Sequence, residues 1–146
     1  MKKLFTALLH IEIAMLILLW SYASIVKLIN MPLTFSQMHN QVFPIWMADI
    51  LAYAIPILEI ALVLLLLIPR YRKLALWLSI ALLSAFTIYI ILIKLFLFGR
   101  IPCSCGGIIS GMSWTQHLIF NLFFLIISLS SLIVYQKERR WRGTAA

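Results

Sequence analysis

Four long apolar stretches, joined by short connections rich in proline, glycine or basic residues, take up most of this chain. They cover about residues 4–29, 45–68, 74–98 and 114–135. Each approaches the ~20 consecutive apolar residues that a helix needs to cross a hydrocarbon core at ~1.5 Å rise per residue. The pattern predicts an all-α integral membrane protein. Its architecture is an antiparallel bundle of four transmembrane helices, in a single membrane domain over residues 1–146. Between the first two spans, Pro32 opens a connection in which Thr34 and Gln37 have the spacing of a capping box. Phe35, Met38 and Val42 then fall on one helical face. This predicts a short interfacial helix over residues 34–43, lying on the membrane surface. Pro44 suits the first position of the second span, because its missing N–H costs nothing there.

The first span lies behind Lys2 and Lys3 and contains Ser21, Tyr22 and Ala23, so it imitates a cleavable secretion signal. His10 and Glu12 interrupt its apolar region. The expected outcome is an uncleaved anchor that serves as the first helix.

Of the 146 residues, 64% are hydrophobic and 11% are charged. A soluble domain carries charge at about a quarter of its positions, so no room is left for a separate soluble unit. The net charge of +8 raises nucleic acid as a partner, but the basic residues gather at the ends of apolar segments. There they act as topology signals and contacts to membrane lipid, and nucleic acid is not expected as a partner. Lys2, Lys3, Arg70, Arg72, Lys73, Lys137, Arg139, Arg140 and Arg142 share one side of a four-span bundle, against Lys27, Lys94 and Arg100 on the other. The positive-inside rule then predicts that both termini are cytoplasmic. The loop over 99–113, with both cysteines of the chain, is external. In a bacterial inner membrane that is the periplasmic side, where disulfides persist.

Cys103 and Cys105 flank Ser104 and precede Gly106 and Gly107. A thiol pair one residue apart closes a small ring against the preferred disulfide geometry. Such a bridge is easily reduced, as exchange chemistry requires, and the glycines let the backbone turn tightly beside it. Thiol–disulfide exchange is the leading reading. A structural bridge or a reduced pair is the alternative, and a metal site is disfavoured because structural zinc wants four ligands.

Beyond this loop, His117 and Asn121 are four residues apart, with Ser128 on nearly the same helical face. These groups either bond to neighbouring helices, or His117 stabilises a thiolate and relays protons as the cysteines cycle. Glu59 lies well inside the second span, where an ionised carboxylate must be paired, protonated or wetted. Proton handling and helix anchoring both fit it. Lys27, Asp49 and Lys94 fall near the outer ends of their helices. An ion pair between Lys27 and Asp49 would be ordinary packing, and the same charges would also suit the head group of an anion or a quinone. Trp20, Trp46, Trp77, Trp114 and Trp141 lie mostly near the expected helix ends, as an interfacial belt requires.

With Lys27 at the end of the first span, "IPILEIALVLLLL" around Glu59, the basic turn after it and "PCSCGG…SWTQHLIFN" leading into the fourth span, the chain resembles the MauE/DoxX-like family of small redox-associated membrane proteins. The resemblance covers nearly the whole length. It implies a four-helix bundle linked to thiol–disulfide chemistry outside the cytoplasm, with the Cys-x-Cys type resembling quinone-linked disulfide oxidoreductases. This chain lacks the second cysteine pair of such relays, so one pair would meet both the protein partner and the quinone.

The expected function is therefore membrane thiol–disulfide electron transfer through Cys103 and Cys105, with quinone as the candidate acceptor. The expected partner is a periplasmic thiol protein, and the role is to support maturation of extracytoplasmic proteins. The rival is a non-enzymatic accessory subunit that stabilises a larger membrane complex. A transporter is disfavoured, since neither an inverted repeat nor a broken helix pair is present.

Overall fold

A computed structural model of the protein describes residues 2–99, 101–102 and 112–143. Its helices are α1 (Lys2–Ile29), α2 (Met31–His39), α3 (Ile45–Leu67), α4 (Arg72–Lys94) and α5 (Trp114–Gly143). All but α2 are long and apolar enough to cross a membrane. The four spans form a ring in which α1 packs on α3, α3 on α4, α4 on α5 and α5 back on α1, while α2 lies against α3 and α1. Short connections make successive spans antiparallel. Both termini come to the same end of the bundle, where the Thr6 hydroxyl donates to Glu138 at 3.2 Å and Lys137 lies over the Phe5 ring.

The surface and the interior follow different rules. Leu18, Ile57 and Ile126 are 69%, 62% and 66% exposed, an outward face that water would not tolerate and lipid does. Lipid gives no hydrophobic drive for one helix to seek another, so association rests on close packing and interhelical hydrogen bonds. Ala23, Ala48, Ala52 and Ala75 are fully buried, and such small side chains let backbones approach. On α3 the buried stripe Ala48, Ala52, Pro56, Glu59, Leu62, Leu66 advances by three or four residues, one helical face turned inward. Trp20 is buried in the interior rather than in the interfacial belt. Its indole N–H donates across the bundle from α1 to Ser79 of α4 at 3.1 Å. Trp46 and Trp77 do sit on the outer surface, and the side chain of Trp141 lies outside the described residues. On α5, Ser130 donates to the otherwise buried Glu12 of α1.

The helix ends depart from the sequence expectation in four places. The short helix starts earlier and ends at His39, because Asn30 is the cap and its side chain accepts from Leu33 N at 3.1 Å. Thr34 does not cap. Its hydroxyl turns back to the Lys27 and Asn30 carbonyls, closing the joint between α1 and α2. Pro44 is the N-cap of α3 rather than its first helical residue. The third span begins at Arg72, whose guanidinium donates to the Leu66 carbonyl at 3.1 Å, and stops at Lys94 instead of Phe98.

That stop is a Schellman motif. Phe96 adopts the left-handed conformation at φ 61°, its N–H bonds to Ile93 O at 3.0 Å, and the N–H of Leu97 bonds to Leu92 O at 3.3 Å. Glycine usually fills this position because a side chain is strained there; here a phenylalanine does. Finally, α5 runs past residue 135 to Gly143, since its polar continuation contains no breaker and is held to α1 by the terminal contacts above.

Candidate functional site

A cleft of about 360 Å³ opens between α3 and α4 at the end of the bundle covered by α2. Its walls are mostly apolar, with Leu51, Leu58 and Phe86 among them; Gln37, Gln41 and Tyr89 add polar groups, and the charged or imidazole side chains in the lining are Lys27, Glu59 and His117. Each of these comes from a different helix: α1, α3 and α5. The α2 segment is fixed over the cleft by three contacts. The Phe35 ring meets Tyr53 edge-on at 5.1 Å, the His39 ring meets Asp49 at 2.6 Å, and the Tyr89 hydroxyl donates to Gln41 at 2.8 Å.

Lys27 is where the sequence expectation needs correction. Its partner is Glu59, at 2.7 Å, and not Asp49, which pairs with His39. Side chains on a helix lean toward its N-terminus. The ammonium of Lys27 therefore points back along α1, where it also donates to Ala23 O at 3.2 Å. On the antiparallel α3, that depth matches Glu59, roughly 15 Å further along the helix than Asp49 at ~1.5 Å per residue. Glu59 is 1% exposed. Its Oε1 accepts from Lys27, while Oε2 is buried with no hydrogen-bond partner among the described residues.

Asn121 is buried, as the polar stripe of α5 predicts, and bonds to α4 through Leu83 O and Thr87 Oγ1, both at 3.0 Å. One turn earlier, His117 is half-buried and lines the cleft instead of bonding across the bundle. No hydrogen bond to its ring is present among the described residues. Trp114 stands beside it, the two rings nearly parallel with centroids 6.4 Å apart. The indole N–H of Trp114 donates to Pro102 O at 3.0 Å, and Pro102 immediately precedes Cys103 in the chain. Lys94, at the end of α4, donates to Thr115 Oγ1 at 2.9 Å. These two bonds tie together the described ends that flank the cysteine segment. Cys103 and Cys105 themselves lie outside the described residues, as do Arg100 and most of the expected loop over 99–113.

The structure thus brings Lys27, Glu59 and His117 to one cleft, makes Asn121 a tie between α5 and α4, and leaves Asp49 and Lys94 out of the cleft lining. Sequence reasoning missed His39, Tyr89, Gln41 and Thr87 as partners. Their only signal was a polar residue near a span end or within a span, and that does not say which polar group it will meet.

The family model described as "Methylamine utilisation protein MauE" matches residues 4–134. No curated protein and no solved structure matches the chain.

Proposed function

Because the chain belongs to the MauE family and is an integral membrane protein, we propose that it is a membrane accessory protein of methylamine utilisation whose chemistry is thiol–disulfide exchange at Cys103 and Cys105. In this reading the disulfide form is attacked by a thiolate of an extracytoplasmic protein, giving a mixed disulfide and one free thiol here. A second thiolate of the partner displaces that bond. The partner leaves with a disulfide, and Cys103 and Cys105 are left as two thiols. The observation that supports this best is the anchoring of Pro102 by Trp114 beside the cleft-facing imidazole of His117. The Trp114 ring lies beside a proton-exchanging group and also holds the residue that precedes Cys103 in the chain. His117 would stabilise a thiolate or carry its proton.

The test is to change one cysteine at a time. The variant that retains the attacking thiol, either Cys103→Ser or Cys105→Ser, should accumulate an adduct with its partner that disappears on addition of reductant. No adduct from either variant would count against exchange.

The proposed setting is a bacterial inner membrane with the cysteines on the periplasmic side, supported by the nine-to-three division of Lys and Arg. The basic turn Arg70–Lys73 and both chain termini share one end of the bundle, which this reading assigns to the cytoplasm. A membrane-impermeant maleimide should label the reduced cysteines in intact spheroplasts. Labelling that requires broken membranes would reverse the orientation.

A further inference from the structure

The cleft between α3 and α4 presents hydrogen-bonding capacity that the bundle itself does not consume. Glu59 Oε2 is a buried acceptor with no partner among the described residues. Lys27 spends two of its three N–H groups, on Ala23 O and Glu59 Oε1. The imidazole of His117, contributed by α5, adds a donor and an acceptor to the lining. Buried polar groups are normally satisfied; one bare buried oxygen, with two further groups that have N–H to spare, in a mostly apolar cleft describes the place of a ligand's polar end.

The charges narrow the ligand. Lys27 and Glu59 neutralise each other at 2.7 Å, so the cleft has no net attraction for a strong ion. A phosphate or carboxylate would face the bare oxygen of Glu59. A small ammonium would face Lys27 and leave most of the 360 Å³ empty. The volume lies within the ~300–1,000 Å³ typical of small-molecule sites. Leu58 and Ala85, both exposed on the outer surface of the bundle, form part of the lining, so the cleft is reached from the bilayer.

We propose that this cleft binds the ring of a membrane quinone. The two carbonyl oxygens of the oxidised ring would accept from Lys27 and His117, and a hydroxyl of the reduced ring would donate to Glu59. The same three side chains therefore serve both redox forms, and Phe86 and Trp114 supply aromatic wall. The inference rests on the reading that Cys103 and Cys105 cycle. The dithiol loses two electrons and two protons as its S–S bond forms, and the quinone gains both and leaves as the quinol.

Purified full-length protein in detergent micelles, titrated calorimetrically with menadione and with a ubiquinone bearing a single isoprene unit, should show saturable binding. The Cys103→Ser/Cys105→Ser double variant should bind equally, because the thiols are not part of the cleft. Ala85→Phe and Ala54→Phe, which fill the cleft from either wall without touching the ion pair, should weaken binding by about tenfold or more, ~1.4 kcal/mol per decade, with unchanged thermal unfolding. Three results would overturn the assignment: no saturable binding, undiminished binding by both cleft-filling variants, or equal binding of methylnaphthalene, which has the ring but no oxygen. Binding by a cysteine-free variant that is also fully functional would keep the cleft assignment and remove the thiol reading. Lack of quinone binding alongside a cysteine-dependent phenotype would do the reverse.

Discussion

Lys27→Ala should destabilise the bundle by about 3–5 kcal/mol, the range for removing one partner of a buried ion pair. Glu59 is 1% exposed, and Lys27 supplies its only hydrogen bond among the described residues. Without the ammonium, a carboxylate is left inside a membrane span, where it must take up a proton or draw in water, and either costs folding free energy. The informative comparison is the double variant Lys27→Leu/Glu59→Leu. Replacing both members of a buried pair by apolar groups of similar size is often neutral or stabilising, so most of the loss should be recovered. Denaturant or thermal unfolding of the purified protein in micelles reads both effects. If Lys27→Ala unfolds at the wild-type midpoint, the pair carries no structural weight. The recovered double variant is also expected to bind quinone poorly, separating the stability of the fold from the chemistry of the cleft.

The second expected result is a complete loss of function with no loss of structure. Cys103→Ser/Cys105→Ser should abolish whatever phenotype depends on the protein while its level and unfolding midpoint stay unchanged. A bridge across one intervening residue closes so short a loop that it constrains little of the unfolded chain. The four spans meanwhile satisfy their backbone hydrogen bonds within each helix and insert because they are apolar. Exchange chemistry, in contrast, has no substitute for sulfur. Complementation of a deletion strain, together with immunoblotting of membranes, measures both halves. A fully functional double variant would leave a structural subunit as the better account.

The spans were legible because the bilayer imposes one strong rule, a long apolar run, and each of the four obeys it. Their ends were less so. The third span reads as apolar through Phe98, yet the chain turns at Phe96, since backbone hydrogen bonds rather than hydropathy decide where the helix closes. The fourth continues to Gly143 although its last turns are polar, because contacts to α1 at the terminal end hold them. The need of Glu59 for a partner was visible from its neighbourhood of leucines and isoleucines, but the partner was not. Pairing depends on how deep each group sits, and Lys27 reaches back along α1 by the length of its own side chain. For the same reason Asp49, nearer by position along its span, is bound to His39 instead. The polar face of α5 gave Asn121 correctly as an inward group, while its spacing could not distinguish a helix tie from a cleft wall, and His117 turned out to be the latter.

The ring order of the helices also has a bearing on biosynthesis. The first span packs beside the last, and Glu12 of α1 receives its hydrogen bond from Ser130 of α5. During synthesis that bond cannot form until almost the whole chain has left the ribosome. Asn121 likewise meets Thr87 only when α5 arrives beside α4. The nascent protein therefore passes through a three-span stage in which the Glu12 carboxylate on α1 awaits its partner, while the Thr87 hydroxyl is already bonded to Leu83 O within α4. The insertion machinery must shelter that stage from the surrounding lipid until α5 is released and closes the ring.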